Sequence, residues 1–249
     1  MRLAVLSDIH FPVHSKQAWA FTLAILPTLN LDRTMLLGDI VDNEPFSRFD
    51  IPPDKRLTLQ HEIDVTTREL KNYRQAVPNI PTGYIPGNHE LHQQRFIHQK
   101  AQQFFGVGKA TIQELLDLKD LGISWRDRHN GYLQIGKLLF LHGDEVKVGS
   151  VNVARNLYLK VNCNVFVGHY HAEGKYIHTL GKSMKQEGAW VNSCLRSLRP
   201  DWSPFSHWTL GFSVIDFSAG GFFHVEQVLF HRRGAKFWTT IGGKEYWSK

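Results

Sequence analysis

The chain has 249 residues, 42% hydrophobic and 21% charged, which excludes a disordered or low-complexity protein and leaves room for one large α/β domain over 1–249. Its two cysteines, Cys163 and Cys194, make neither a disulfide framework nor a Cys-x-x-Cys zinc pair, and no run of about 18 apolar residues exists to span a bilayer. The formal charge of +6 suits polyanionic partners such as nucleic acid or a nucleotide, and suits equally a surface kept soluble by mild basicity, since no dense Lys/Arg block occurs.

The first apolar run, Arg2 to Ser7, reads as a buried strand with Asp8 at its end. Its apolar stretch, Leu3 to Leu6, is too short for a signal-peptide core, so the cytoplasm is the expected compartment. Trp19, Leu23 and Leu26 then recur at helical spacing between about Ser15 and Leu29. Thr34 to Leu37 predict a second strand ending at Gly38-Asp39, and a polar helix is expected from about Asp54 to Ala76. A third strand, Gly83 to Ile85, ends at Pro86-Gly87-Asn88-His89.

From there the pattern is helical to about Leu118, with Thr111 and Glu114 spaced as a capping box. The second half turns strand-rich: Tyr132–Ile135, Lys137–Leu141, Asn164–Val167, Ala189–Val191, Leu210–Phe217 and Phe222–Phe230. Ser218 to Gly221 reads as a hairpin turn between the last two. Residues 236–249 form a basic, aromatic tail for which no periodicity decides.

Strands alternating with helices imply βαβ units and a mainly parallel sheet, in which ligand-binding residues gather beyond the carboxyl ends of the strands. Asp8, Asp39, Asn88, His142 and His169 all fall at such ends. They belong to five short blocks: Asp8-Ile9-His10, Gly38-Asp39-Ile40-Val41-Asp42, Gly87-Asn88-His89-Glu90, His142-Gly143 and Gly168-His169-Tyr170-His171. Any block alone is weak, because a strand-end His is more often a hydrogen-bonded structural residue. All five in order, each after an apolar strand, point to metal binding.

The residue types explain the chemistry. Asp8 and Asp39 offer anionic oxygen, His10, His142, His169 and His171 neutral imidazole, and Asn88 a carbonyl oxygen. That mixed set, without thiolate, suits Mn²⁺, Fe or Zn²⁺. An extended backbone at His169-Tyr170-His171 would send both rings to one side about 7 Å apart, so each could serve one of two ions about 3.5–4 Å apart.

As a set, the blocks resemble the signature of the calcineurin-like metallophosphoesterase superfamily, D-x-H, G-D-x-x-D, G-N-H-[DE], an isolated strand-end His and G-H-x-H, over residues 8 to 171. The resemblance implies a four-layer αββα sandwich of two mixed β-sheets flanked by helices. It implies two divalent ions, Mn²⁺ first, with Fe, Zn²⁺, Ni²⁺ and Mg²⁺ as alternatives. Asp8, His10 and His171 would hold one ion, Asn88, His142 and His169 the other, and Asp39 would bridge them. It further implies a hydroxide between the ions as nucleophile, His89 as the acid that protonates the leaving oxygen, and Asp42 as the carboxylate that orients His89.

One departure bears on the substrate. Phosphoprotein phosphatases of the superfamily carry an Arg after the second Asp of the G-D-x-V-D-R-G block, where it grips the phosphate; here that position is Asn43, followed by Glu44. A diester has a single charge at the reacting phosphate and depends less on such a clamp. The expected activity is therefore a phosphodiesterase or nuclease on nucleotides or nucleic acid. A phosphomonoesterase is the alternative, and a non-catalytic scaffold of the same fold, which would lack His89, a remote one. Arg196, Arg199 and Lys147 read as solvated surface charges, and His14 and His92 as the spare histidines nearest the blocks. Trp202, Phe205, Trp208 and Phe212 read as core before they read as a base-stacking surface.

Overall fold

Along the first strand, β1 (Arg2–Leu6), Leu3 and Val5 point to one side, Ala4 and Leu6 to the other, and all four are buried. A strand covered on both faces belongs inside a layered α/β fold. The computed structural model describes residues 1–47, 56–108, 111–128, 132–149, 151–199 and 206–249.

After β1 come α1 (Lys16–Ile25), β2 (Arg33–Leu37), α2 (Leu59–Ala76), β3 (Thr82–Ile85), α3 (Glu90–Lys100), α4 (Ile112–Leu115) and β4 (Ile123–Trp125). The second half holds β5 (Leu133–Ile135), β6 (Leu138–Phe140), α5 (Val153–Val161), β7 (Val165–Val167), β8 (Gly174–Leu180) and β9 (Lys185–Val191). It ends with β10 (Gly211–Phe217), β11 (Phe223–Leu229), β12 (His231–Arg233), β13 (Lys236–Ile241) and β14 (Lys244–Trp247).

One mixed sheet runs in the order β11-β10-β1-β2-β3-β4, with β1 to β4 parallel and β10 and β11 antiparallel. A second mixed sheet runs β5-β6-β7-β9-β8, with β6, β7 and β9 parallel. Leu3, Val5, Met35, Leu37 and Ile215 of the first sheet pack on Phe140, Phe166 and Trp190 of the second. On its other face the first sheet meets Trp19 and Ile25 of α1 and Leu70 and Tyr73 of α2. The second sheet is covered on its far face by Leu157 and Tyr158 of α5. The layers are thus helix, sheet, sheet, helix, the αββα sandwich expected. Each large side chain buried in these interfaces contributes about 1.5–3 kcal/mol.

Caps set the helix starts. The Ser15 side chain accepts from Ala18 N and that of Thr58 from His61 N; Thr111 and Glu114 complete a reciprocal capping box. The long polar helix begins at Leu59, and Asp54, where it was expected, lies outside the described residues. The Ser218–Gly221 turn closes the β10–β11 hairpin through Ser218 N to Phe222 O at 2.8 Å and Gly221 N to Ser218 O at 3.0 Å. Before the tail, β4, α5, β8 and β12 had no expectation. The tail, 236–249, forms β13 and β14, which with β12 make an antiparallel sheet whose Phe237 and Ile241 join the helix-side core. No helix among the described residues is long and apolar enough to cross a membrane.

Candidate metal centre

The parallel strands deliver the five blocks to one edge. Asp8 and His10 follow β1, Asp39 and Asp42 follow β2, Asn88 and His89 follow β3, His142 follows β6, and His169 and His171 follow β7. The loops are stitched to each other by their backbones: Asp8 N to Gly38 O at 3.0 Å, His10 N to Asp39 O at 3.0 Å and Gly168 N to His142 O at 2.8 Å. Asp8, His10, Asp39, Asn43, His169 and His171 all take left-handed backbone angles, with φ between 52° and 67°. Such angles cost non-glycine residues on the order of 1 kcal/mol each and persist where surrounding contacts over-determine them, as they do at functional sites. At Gly168 a Cβ would stand 2.6 Å from Asp8 Oδ2, and at Gly87 it would collide with Asp39 Oδ1, so both motif glycines are required by close approach to a carboxylate.

The ligand atoms of Asp8, His10, Asp39 and His171 lie within 4.8 Å of one another, as do those of Asp39, His142 and His169. Asp39 belongs to both groups. Its Oδ2 is 3.1 Å from His142 Nε2 and 3.9 Å from His10 Nε2. Asp8 Oδ1 is 3.2 Å from His171 Nε2, which in turn faces His10 Nε2 at 3.1 Å. Two imidazole nitrogens and two carboxylates, all buried and facing one another, are a set that a cation would satisfy. The Oδ1 of Asn88 and the Nε2 of His142 are buried and make no hydrogen bond among the described residues. His142 donates its Nδ1–H to Leu37 O at 2.8 Å and His10 its Nδ1–H to Asp42 Oδ1 at 2.7 Å. Both rings therefore turn Nε2 inward, which is how a metal-ligating His is oriented. The residues fit a pair of divalent ions.

The extended backbone expected at His169-Tyr170-His171 is not what forms. β7 ends at Val167, and His169 and His171 turn through left-handed angles of 67° and 60°. The reason is local: His169 N is drawn to the Asp8 carboxylate, 3.0 Å from each oxygen, which a straight strand would prevent. The rings separate as a result, His169 against His142 at 5.3 Å between centroids and His171 against His10 at 4.9 Å.

His89 sits at the mouth, with its ring edge-on to His10 at 4.6 Å. Its Nδ1–H donates to the backbone carbonyl of Asp42, while the nearest Asp42 carboxylate oxygen is 3.8 Å away. That carboxylate is engaged instead by His10 and by the Arg196 guanidinium. Burial opposes the charge on Asp42, but the His10 hydrogen bond and Arg196 hold its carboxyl well below the usual range. Burial and the Arg196 charge push His10 down to about 3, so its ring is neutral. Burial works most strongly against charge on His142 and His89, but the surrounding acceptors together outweigh it, Asp39 with Asp8 and Asp144 at His142 and Asp39 with Asp42 and Glu90 at His89, and raise both rings above their ordinary value.

Three residues with no expected part in the site hold its loops together. Glu90 is buried and accepts from Asp39 N at 2.9 Å, Ile40 N at 2.7 Å, Gly87 N at 2.6 Å and the Tyr84 hydroxyl at 2.7 Å. Its signal was its place in the Gly87–Glu90 block, at the first turn of α3. Arg196, expected on the surface, reaches Asp42 because Ser15 N and Ser197 N bond the chain to Leu195 O and Val13 O beside the β1 loop. Arg128 donates to Pro86 O at 2.9 Å and Asp144 at 3.0 Å, tying the Asn88 loop to the His142 loop. Lys147 is exposed as expected; Arg199 is exposed too, at a groove described below. Of the aromatic cluster, Phe212 is core, Trp208 packs on His171, and Trp202 and Phe205 lie outside the described residues.

This fold and strand-edge cluster agree with a family model for calcineurin-like phosphoesterases, which matches residues 1–209. The chain belongs to that family. It is 24% identical over 197 residues to the Gene 54 protein of Mycobacterium phage L5, covering 76% of each chain. Similar solved structures include Vps29 of Chaetomium thermophilum, at 9% identity and a TM-score of 0.44, covering 100% of this chain and 95% of that one. Another is wild-type Vps29 of Entamoeba histolytica complexed with zinc, at 10% identity and a TM-score of 0.43, covering 100% and 97%. A third is TT1561 of Thermus thermophilus, at 11% identity and a TM-score of 0.38, covering 91% and 98%.

Proposed function

We propose that the chain is a dinuclear-metal-dependent phosphodiesterase acting on nucleotides or nucleic acid. Asp8, His10 and His171 would hold one ion, Asn88, His142 and His169 the other, and Asp39 would serve both. The observation that carries this reading is the place of Asp39, whose one carboxylate faces His10 on one side and His142 on the other. Mn²⁺ is the expected metal, since nitrogen and oxygen donors without thiolate accept it readily; Fe, Zn²⁺, Ni²⁺ and Mg²⁺ compete by availability. Ions bound there supply charge neutralisation at the phosphate and activation of the attacking water.

The chain's own residues do the rest. His89 is fixed through Nδ1 by the Asp42 carbonyl, which leaves Nε2 to donate a proton to the departing oxygen. Asp42 keeps the His10 ring turned inward, and Arg196 balances the charge of Asp42. Glu90 fixes the two loops that carry Asp39 and Asn88 in one geometry.

Support for a diester comes from Asn43. It is buried and donates its side-chain amide to His89 O at 2.8 Å, so it braces the loop and presents no cation to a phosphate. Arg196, which reaches the cluster, is already neutralised by Asp42. A monoanionic diester needs less cationic help than a dianionic monoester. The test compares bis-p-nitrophenyl phosphate with p-nitrophenyl phosphate in Mn²⁺; the diester should be preferred, and a strong preference for the monoester would overturn the assignment.

A further inference from the structure

Trp208 marks the inner end of a groove that leaves the metal cluster. Its ring meets the His171 ring edge-on at 4.5 Å between centroids, and the Arg196 guanidinium lies 5.9 Å from its centre. Outward from Trp208 the groove, about 710 Å³ in volume, is lined by Arg199, Arg232, Phe230, Phe237 and His231.

At His231 the groove reaches the sheet that ends the chain. Strand register places His231 opposite Trp238 and Trp238 opposite Trp247, so the three rings form one row across β12, β13 and β14. Their centroids are 5.0 and 6.0 Å apart and their planes 36° and 26° from parallel. Because Phe237, Thr239 and Ile241 are the buried residues of β13, the row of Trp238 faces outward. Arg233 and Lys236, paired in register, stand on the same face, and the Arg233 guanidinium lies 6.0 Å from the Trp247 ring. Glu245 is the acid of this face and accepts the Trp247 indole N–H at 3.3 Å. His231, Arg233 and Lys236 are exposed, and Trp247 is 44% exposed.

A protein partner would have to set acids opposite Arg233 and Lys236 and flat apolar groups over the ring row at the same time. A chain of stacked bases joined by phosphates satisfies both kinds of group: each base has a face for a ring, and each phosphate a charge for a cation. A duplex keeps its base faces inside and cannot use the row. We propose that single-stranded nucleic acid lies across the His231–Trp238–Trp247 row and along the groove, so that a phosphate of the same strand arrives beside Trp208 and His171. What happens to that phosphate rests on the phosphodiesterase reading; binding to the sheet does not.

The test uses the full chain in EDTA with a fluorescently labelled oligothymidylate of about 12 nucleotides, a length on the scale of one stacking platform, followed by anisotropy. Binding is expected, and Trp238→Ala with Trp247→Ala should weaken it about tenfold or more. Arg233→Glu with Lys236→Glu, at exposed side chains that leave the core untouched, should lower the slope of log affinity against log salt by about 1 or more. Lys175→Ala, on β8 of the other sheet, should change neither. Absence of binding, double variants that bind as tightly as the parent, or tighter binding of duplex would overturn the proposal. Strand binding that behaves as expected, in a protein that does not cleave bis-p-nitrophenyl phosphate, would overturn the phosphodiesterase reading alone. Diester cleavage without strand binding would overturn this surface alone.

Discussion

The Asp42 carboxylate receives the Nδ1–H of His10 at 2.7 Å, while the carbonyl of the same residue receives the Nδ1–H of His89. One residue thus orients a ring of the cluster through its side chain and the ring at the mouth through its backbone. Asp42→Ala should therefore lower Mn²⁺ affinity about 10–100-fold, the usual effect of losing the partner behind a ligating His. Because the carbonyl survives the substitution, the pH dependence of the proton-donating step should be kept. Calorimetric Mn²⁺ titration and a pH–rate profile check this; unchanged affinity with an altered profile would show that the carboxylate serves His89 instead.

His89→Asn should reduce kcat about 10²–10⁴-fold, the range of a general-acid contribution, with metal content intact. Metal analysis beside the kinetics decides it. Loss of an ion would make His89 a ligand.

Glu90 gathers amides from the β2 and β3 loops on one buried carboxylate. In Glu90→Gln the new NH₂ would face backbone donors that it cannot accept from, at a cost of about 3 kcal/mol or more. For a chain of this size the melting temperature should fall by roughly 6–12 °C. Metal affinity should fall with it, since the loops carry Asp39 and Asn88. A variant that melts like the parent would show that the amides find other partners.

Burial and the nearby Asp42 charge push Glu62 from its ordinary 4.5 up to about 8. The folded chain then holds a proton that the unfolded chain releases between those values. Its contribution to stability is complete below about pH 4.5 and is lost as pH rises to about 8, at up to ~1.4 kcal/mol per pH unit. Glu62→Gln removes this dependence. Melting curves at pH 5, 7 and 9 should show the variant gaining on the parent as pH rises, and parallel curves would contradict the burial argument.

The candidate site was legible because each block ends a strand and metal chemistry would demand particular residue types there. Asp8, Asp39, Asn88, His142 and His169 could be placed at one edge from apolar runs alone. Glu90 and Arg196 were harder to read, since their role depends on what folding brings to them across some 50 and 150 residues. Apolar strands alternating with helices implied a mainly parallel α/β sheet, whereas the αββα layering was implied by the family resemblance and not by the pattern of any one strand. β8 escaped notice because it is a sheet edge, with Lys175, Ile177, His178 and Thr179 exposed and no continuous apolar run. α5 was masked by the β-branched Val153 and Val161 at its ends, and its helix is decided by Leu157 and Tyr158 packing on the second sheet. In and just before the tail, charges at Arg232, Arg233, Lys236 and Lys244 hid an alternation whose inward half is Phe237, Thr239 and Ile241.

The central claim is that Asp39 joins two ions into one catalytic site. The most direct measurement is the number of Mn²⁺ ions bound per chain at saturation, taken together with bis-p-nitrophenyl phosphate hydrolysis, for the parent and for Asp39→Asn. The parent should bind two ions and turn over the diester, and the variant should bind at most one and lose activity. A parent that binds no Mn²⁺, or a variant that keeps both ions and its rate, would contradict the account.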